Sequence, residues 1–412
     1  MNRCLSIVML LLLSTPAVAA DHDDFFSDQV IGPITIEGNS STATSLILLE
    51  MFFHEGDPLD FDQVDATWEH LEDLGWFAFV DISMDDSLDV VPVTLTVEED
   101  STTRGYPIID YDRRYDILLG LRAYDINLGG RGEKVSFSGI WHRSHRYEFS
   151  WVHPWLFTVK GLSLGVDARW ENAPFVYRDF DHRNWNTGLR LRWAPRGAAF
   201  VEVGVARGSF EQKGLFDGAP ITWAAGTRNR WSTSGTLGLD TRDISWYPTA
   251  GGYHRLTATH HDSDDFPSFT ELVADLSQFI SLPWEHVIAV HAWGREVNGH
   301  VPPEDMLFWG GPENLRGYRY AQLEAEEGWL LSAEYRWPLF LMPISADGKV
   351  VAIGLHIFGD MGAADFDEIT GVTRHDFGAG IHLGISDHVF RFEAARTDED
   401  RTAFVFMDSF NF

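Results

Sequence analysis

From residue 104 to the end of the chain, apolar and polar residues alternate with a period of two, in segments of about ten residues. Tyr147, Phe149 and Trp151 alternate with Arg146, Glu148 and Ser150. Trp185, Leu189, Leu191 and Trp193 alternate with Asn186, Gly188, Arg190 and Arg192, and Leu331, Ala333, Tyr335 and Trp337 with Ser332, Glu334 and Arg336. Successive side chains of a strand point to opposite faces, so each segment has one apolar and one charged face. The apolar run 350–358 is too short for a spanning helix, which needs about 20 residues. A chain of this pattern is either soluble or a closed membrane barrel, because only helices and closed barrels satisfy their backbone in lipid.

A soluble sandwich turns its polar faces outward, whereas a membrane barrel turns its apolar faces to lipid and its charged faces to a wet lumen. Segment length, Trp and Tyr at strand ends, and turns alternating short (Ala194-Pro195-Arg196-Gly197) and long (211–229) favour the barrel. The reading is a mainly β protein with a 16-stranded antiparallel transmembrane β-barrel over residues 104–412. Twenty-nine Phe and 16 Trp suit lipid-facing half-strands and interfacial anchors. The net charge of -31 excludes a general nucleic-acid surface, which needs clustered Lys and Arg. Acidic runs at 262–265, 365–368 and 398–400 fall in expected surface loops.

Residues 1–20 read as a signal peptide: Arg3, the apolar run 5–13 and Ala17-Val18-Ala19. The single Cys4 lies within it. Residues 21–29 form a short polar linker. Residues 30–100 change period and read β-α-α-β-β. A strand at 30–36 is followed by a helix at 42–53 with Leu46, Leu49 and Phe53 on one face. A second helix at 61–74 is capped by Asp60, with Phe61, Val64, Trp68 and Leu71 as its stripe, and strands follow at 77–83 and 91–97.

Several motifs then occur in order. Gly310-Gly311 precedes Leu315-Arg316-Gly317-Tyr318. Asn127-Leu128-Gly129-Gly130-Arg131-Gly132 and His153-Pro154-Trp155-Leu156 sit at expected turns, and a D-x-R-D…P-x-x-G pattern spans 240–252. Two strand motifs lie at 332–339 and 358–362. Together they resemble the BamA/TamA-type superfamily of outer-membrane assembly and translocation barrels, also called bacterial surface antigen barrels. Residues 30–100 resemble a single POTRA domain of that family, including Gly56-Asp57-Pro58-Leu59 and Leu74-Gly75-Trp76-Phe77. The resemblance implies a bacterial outer-membrane protein with its POTRA domain in the periplasm, no enzymatic activity and no cofactor.

In the family, the loop carrying the R-G-[FY] motif folds into the barrel and its Arg meets acids on two inner-wall strands. Carried over, Arg316 meets Glu334 and Asp360, which the alternation independently places on polar faces. An Arg suits this because its planar fork binds a carboxylate bidentately and stays charged when desolvated. Gly317 is expected to let the loop backbone turn tightly. The family's barrels are thought to open between first and last strands. Here the first strand, 106–114, holds Pro107, which cannot donate a ladder bond, and a charged run from Asp110. The last carries Phe404, Phe406, Phe410 and Phe412. A short, weak seam is expected.

The implied function is insertion or translocation of polypeptides at the outer membrane. Its expected partners are lipid and an unfolded polypeptide, received by strand addition to the POTRA sheet. Two alternatives stay open: a secretion pore for a dedicated exoprotein, and a passive channel or structural barrel. One POTRA domain and the absence of a plug-length helix at 21–29 weigh against the secretion pore. Neither substrate nor oligomeric state is legible. Weaker patterns read blandly. Gly161-Leu162-Ser163-Leu164-Gly165 matches a nucleophile elbow, but Ser163 lies inside an alternating strand rather than at a strand-to-helix turn. Gly129 to Lys134 is a hairpin turn, and His260-His261-Asp262 completes no metal shell.

Overall fold

The computed structural model describes residues 29–85, 87–112, 116–141, 144–175, 180–195, 197–217, 222–244, 247–319, 322–343, 350–365, 373–386 and 388–407. The expected signal peptide, most of the linker, the acidic run at 366–368, Phe410 and Phe412 lie outside them. The chain divides into two compact units between Trp170 and Glu171.

The first unit begins with a small mixed domain: β1 (Val30–Glu37), α1 (Thr44–Glu50), α2 (Phe61–Asp73), β2 (Phe77–Met84) and β3 (Val90–Glu99). Its sheet has the order β1-β3-β2, with β1 parallel and β2 antiparallel to β3. Asp60 caps α2 by accepting the Asp62 amide at 3.0 Å. Leu74 closes α2, and Gly75 follows it with a left-handed φ of +67°. The helices bury Leu46, Ile47, Val64 and Leu71 against Ile31, Val91, Val93, Leu95 and Val97 of the sheet. The helical stripe differs from the expected one at two positions. Phe61 and Trp68 stay on the exposed side, and the Trp68 indole nitrogen donates to the Val80 carbonyl at 2.9 Å. Helical spacing counted both as apolar contacts, whereas Trp68 holds the middle of β2 through a polar handle.

The remaining large strands form one antiparallel sheet of sixteen. In the first unit it holds β4 (Thr103–Asp112), β5 (Asp116–Leu128), β6 (Glu133–Trp141), β7 (His145–His153) and the start of β8 (Leu162–Phe175). In the second it holds β9 (Phe180–Trp193), β10 (Ala199–Gln212), β13 (Gly226–Asp240), β14 (Gly251–Asp262), β15 (Phe269–Ser281) and β16 (Val287–Asn298). It continues through β19 (Glu327–Pro343), β20 (Val350–Asp365), β21 (Arg374–Ser386), β22 (His388–Thr397) and β23 (Thr402–Met407). Two small hairpins lie off it: β11 (Phe216–Asp217) with β12 (Thr222–Trp223), and β17 (Leu307–Trp309) with β18 (Leu323–Ala325). The first strand starts three residues earlier than the alternation suggested. β4 and β23 end the sheet, which is not closed: no pairing joins them among the described residues. Pro107, opposite Leu121, lies on this end strand, where a missing donor is tolerated. Ser163 lies near the start of β8 and is followed by strand, not by a helix, through Phe175.

The two-residue period translates into two unlike faces. Leu189, Leu191 and Trp193 of β9 are exposed, as are their register partners Val205, Val203 and Val201 of β10. On β20, Ile353, Leu355, Ile357 and Met361 are exposed, while Ala352, His356, Phe358 and Asp360 are buried. Apolar side chains outward and charged ones inward invert the soluble arrangement and match a lipid-facing sheet. On β19 the register shifts between Pro338 and Phe340, and Leu339 and Phe340 both face outward. Pro338 lies beyond the last β16 pair, Val287 with Arg336, so β20 is its ladder partner there and the bulge accommodates the missing donor.

Candidate functional site

The connection from β16 to β19 carries the Leu315-Arg316-Gly317-Tyr318 motif, above the β17–β18 hairpin. Gly310 and Gly311, both at left-handed φ, start the turn. Asn314 Oδ1 accepts the amides of Gly310 and Leu315, and the Tyr318 amide closes on the Leu315 carbonyl. Leu315 is fully buried with Trp309, Tyr318 and Leu330. This apolar anchor seats the turn and aims Arg316 at the charged face of β19–β22.

Arg316 is 0 % exposed. Its Nε and Nη2 donate to the two oxygens of Asp360 at 2.7 and 2.8 Å. Nη1 donates to Glu334 at 3.0 Å and to Glu393 at 3.2 Å. The guanidinium lies 3.5 Å from the Phe358 ring centroid, a stacked cation–π contact. The structure therefore brings Arg316, Glu334 and Asp360 together. Sequence reasoning missed four other members. Glu393 is a third acid on Arg316. Arg391 bridges Glu334 and Glu393, Arg336 donates to Glu334 at 3.2 Å, and Phe358 is the aromatic floor. The signal was available on β22, where Arg391 and Glu393 alternate with Phe390 and Phe392.

Gly317 serves the site differently from the expectation. Its φ is not left-handed; the constraint is space. A Cβ there would lie 2.8 Å from Thr397 Cγ2 and 2.9 Å from Asp376 Cβ. The Gly317 amide donates to Asp376 at 2.9 Å, and Tyr318 donates to Asp398 and to the His375 carbonyl. Asp398, expected on a solvated loop, thus holds the motif. Asp376 stands directly opposite Asp360 in the β20–β21 register.

Glu334, His356 and Glu393 place potential ligand atoms within 4.8 Å of one another. Arg316 and Arg391 already engage both carboxylates, so the cations of this cluster are guanidiniums and the donor set does not suit a metal. A cavity of about 400 Å³ beside the loop is lined by Trp293, Trp309, Glu304 and His291. Its buried polar groups are engaged, Glu304 by Arg228 and His291 by Asp275.

Within the first unit, the small domain meets the sheet's turns through a second set of contacts. The Trp76 indole nitrogen donates to the Ile126 carbonyl at 3.1 Å, and Asn127 donates to Thr42 at 2.9 Å. Gly130 packs so closely that a Cβ would lie 1.8 Å from the Ser41 carbonyl oxygen. Trp155 donates to the buried Glu50 at 2.5 Å, and His70 meets the other Glu50 oxygen at 2.9 Å. Glu99 braces the loop that makes these contacts, accepting the amides of Ser40, Ser41 and Thr42 and the Ser40 hydroxyl. Burial acts to raise its pKa, but the bonds from Ser40, Thr42 and Ser41 prevail and hold it at about 2. The two turn motifs, at 127–132 and 153–156, are therefore the docking points of the small domain.

Of the seam residues, Pro107 is on β4 as described, the Asp110 backbone is on the same strand, and Phe410 and Phe412 lie outside the described residues. Comparison with known proteins agrees with this geometry. An Omp85 superfamily domain matches residues 127–393, and a POTRA domain of the surface antigen variable number repeat type matches residues 29–100. Among solved structures, BamA from Haemophilus ducreyi lacking POTRA domains 1-3 is similar with a TM-score of 0.69 and 17% identity, over 92% of this chain and 84% of that one. CdiB from Escherichia coli has a TM-score of 0.63 and 13% identity, over 92% and 76% of the two chains. CdiB from Acinetobacter baumannii has a TM-score of 0.59 and 12% identity, over 92% and 73%. At these identities the structures show a shared fold, while the family match spans most of the chain and carries the assignment: this protein belongs to the Omp85 superfamily, as a sixteen-stranded sheet with a POTRA domain near its N-terminus.

Proposed function

We propose that this protein inserts or translocates polypeptides at the bacterial outer membrane, with residues 30–100 as its periplasmic POTRA domain and residues 104–412 as its transmembrane barrel. The observation that carries the reading is a set of available sheet edges at two places in the chain. The outer edge of β2 has no strand partner among the described residues, whereas β1 is covered by the 55–58 turn through Asp57 and Glu55. An extended polypeptide can add to β2 by main-chain hydrogen bonds. The second site of available edges is formed by the end strands β4 and β23. Pro107 removes a donor from β4, so few bonds would close the barrel there and lateral opening would cost little. The Arg316 loop, held by Asp360, Glu334 and Glu393, keeps the β19–β22 wall in one arrangement while the seam works. No catalytic group is required.

Depletion in the native host, followed by comparison of outer-membrane and secreted proteomes, tests this. Loss of many barrels supports insertion, and loss of one secreted protein supports a dedicated secretion pore. Unchanged proteomes with altered membrane conductance would overturn both in favour of a passive channel.

A further inference from the structure

A second buried chain of contacts runs from the Arg316 cluster to the opposite end of the sheet. Glu393 Oε1 accepts from Arg316 and also meets His356 Nε2 at 2.9 Å. His356 Nδ1 lies 3.3 Å from His382 Nδ1, and His382 Nε2 lies 3.0 Å from the Tyr247 hydroxyl. Tyr247 belongs to the connection between β13 and β14, at the end of the strands away from the Arg316 loop. The register builds a place for each ring. His356 stands opposite Gly380 and His382 opposite Gly354. A Cβ on Gly380 would come 2.7 Å from His356 Nε2, and one on Gly354 would come 2.4 Å from His382 Nε2. Each imidazole lies over the glycine of its neighbouring strand.

The partners dictate where the protons sit. An ionised carboxylate only accepts, so His356 carries its hydrogen on Nε2 and offers Nδ1 as an acceptor. His382 must then donate from Nδ1, which leaves its Nε2 to accept from Tyr247. One arrangement satisfies every atom: Tyr247 to His382 to His356 to Glu393, with both rings neutral. An added proton disturbs it wherever it goes. On His356 Nδ1 it faces the His382 N–H head on. On His382 Nε2 it takes the site of the Tyr247 hydrogen and turns the hydroxyl around. The charged groups facing the pair are Glu393 and Arg391 from β22, Glu334 and Arg336 from β19, and Arg316 from the loop. Three guanidiniums thus surround any new positive charge, and the Glu393 oxygen that a protonated His356 would hold more tightly is shared with Arg316.

We propose that Tyr247, His382 and His356 are positioning residues that form an oriented relay, tying the Arg316 loop to the 241–250 connection and releasing that tie on acidification. The relay does not depend on which polypeptide the protein handles, so it stands or falls apart from the functional reading above.

The test uses the full chain in lipid nanodiscs. Hydrogen exchange at the Gly317 and Tyr318 amides, corrected for intrinsic pH dependence, reads the loop's anchorage. Protection is expected to fall about tenfold on acidification, at a pH below the value of about 6.5 at which a free imidazole titrates, because burial and the three guanidiniums oppose the added proton. Tyr247→Phe removes the donor that keeps His382 Nε2 unprotonated. It is expected to move the midpoint of this transition to higher pH, which loss of packing alone would not do. Nitrogen NMR of labelled histidines at neutral pH is expected to find His356 protonated on Nε2 and His382 on Nδ1. A flat wild-type profile, an unmoved Tyr247→Phe midpoint, or any other pair of tautomers overturns the proposal.

Discussion

Arg316 holds both oxygens of Asp360, at 2.7 and 2.8 Å, across 44 residues of sequence and with no exposed surface on either side chain. Two parallel donors on one carboxylate fix direction as well as distance. The same guanidinium reaches Glu334 and Glu393 with its remaining nitrogen, so a single side chain ties a loop to β19, β20 and β22.

Lysine cannot reproduce this. An ammonium is a point charge without the planar fork. Arg316→Lys is expected to keep the fold but loosen the loop, and Arg316→Ala to cost about 3–5 kcal/mol by leaving buried carboxylates uncompensated. Protease nicking within 310–319 in the folded protein should rank Ala above Lys above wild type. Equal resistance in all three would sink the assignment of Arg316 as the anchor.

Gly317 offers a purely steric test. Gly317→Ala places a methyl against Thr397 and Asp376, an overpacking expected to cost about 1–3 kcal/mol. Trimming the nearer neighbour with Thr397→Ser should recover part of it. If thermal unfolding of Gly317→Ala matches the wild type, the space argument is wrong.

Glu99 sets a pH window for the POTRA domain's contact loop. Its carboxyl titrates at about 2 when folded, against an ordinary glutamate value of 4.5. A depressed folded pKa stabilises fully above the unfolded value and is lost as pH falls through the folded one. Protection of the Ser41 and Thr42 amides should therefore decline between about pH 4.5 and pH 2 in the wild type. In Glu99→Gln it should already be low at neutral pH and change little over that window. Identical profiles would falsify the role of Glu99 as the brace.

Trp155 tests the joint between the POTRA domain and the second turn. Trp155→Phe keeps most of the ring but deletes the donor to Glu50. Removing one partner of a buried hydrogen bond costs about 1–3 kcal/mol. Hydrogen exchange in α1 should rise while the sheet's exchange stays unchanged; no rise in α1 would mean that the joint rests on Trp76 and Asn127 alone.

Much of this architecture was legible because strands with unlike faces leave a two-residue period. The alternation at 351–361 placed Asp360 on the inner face from local sequence alone, and the motif order pointed Arg316 to it. The reading faltered where tertiary contact overrides local pattern. Phe61 and Trp68 sit at helical spacing yet stay on the exposed side of α2, because the space beneath the helix is filled by Val64 and Leu71. Gly317 looked like a turn glycine, and its reason is a neighbour 59 residues away.

By itself, the sequence determined the strand count, which residues share a face, and the β-α-α-β-β domain ahead of the sheet. These follow from periodicity, capping and chain stiffness, all local properties. Only the tertiary structure decided which charges meet. Glu393 and Arg391 join Arg316 because strand register and loop entry set their depth, and His356 meets His382 because each lies over a glycine of the adjoining strand. A period specifies a face; the position along that face at which side chains meet depends on packing between strands distant in sequence.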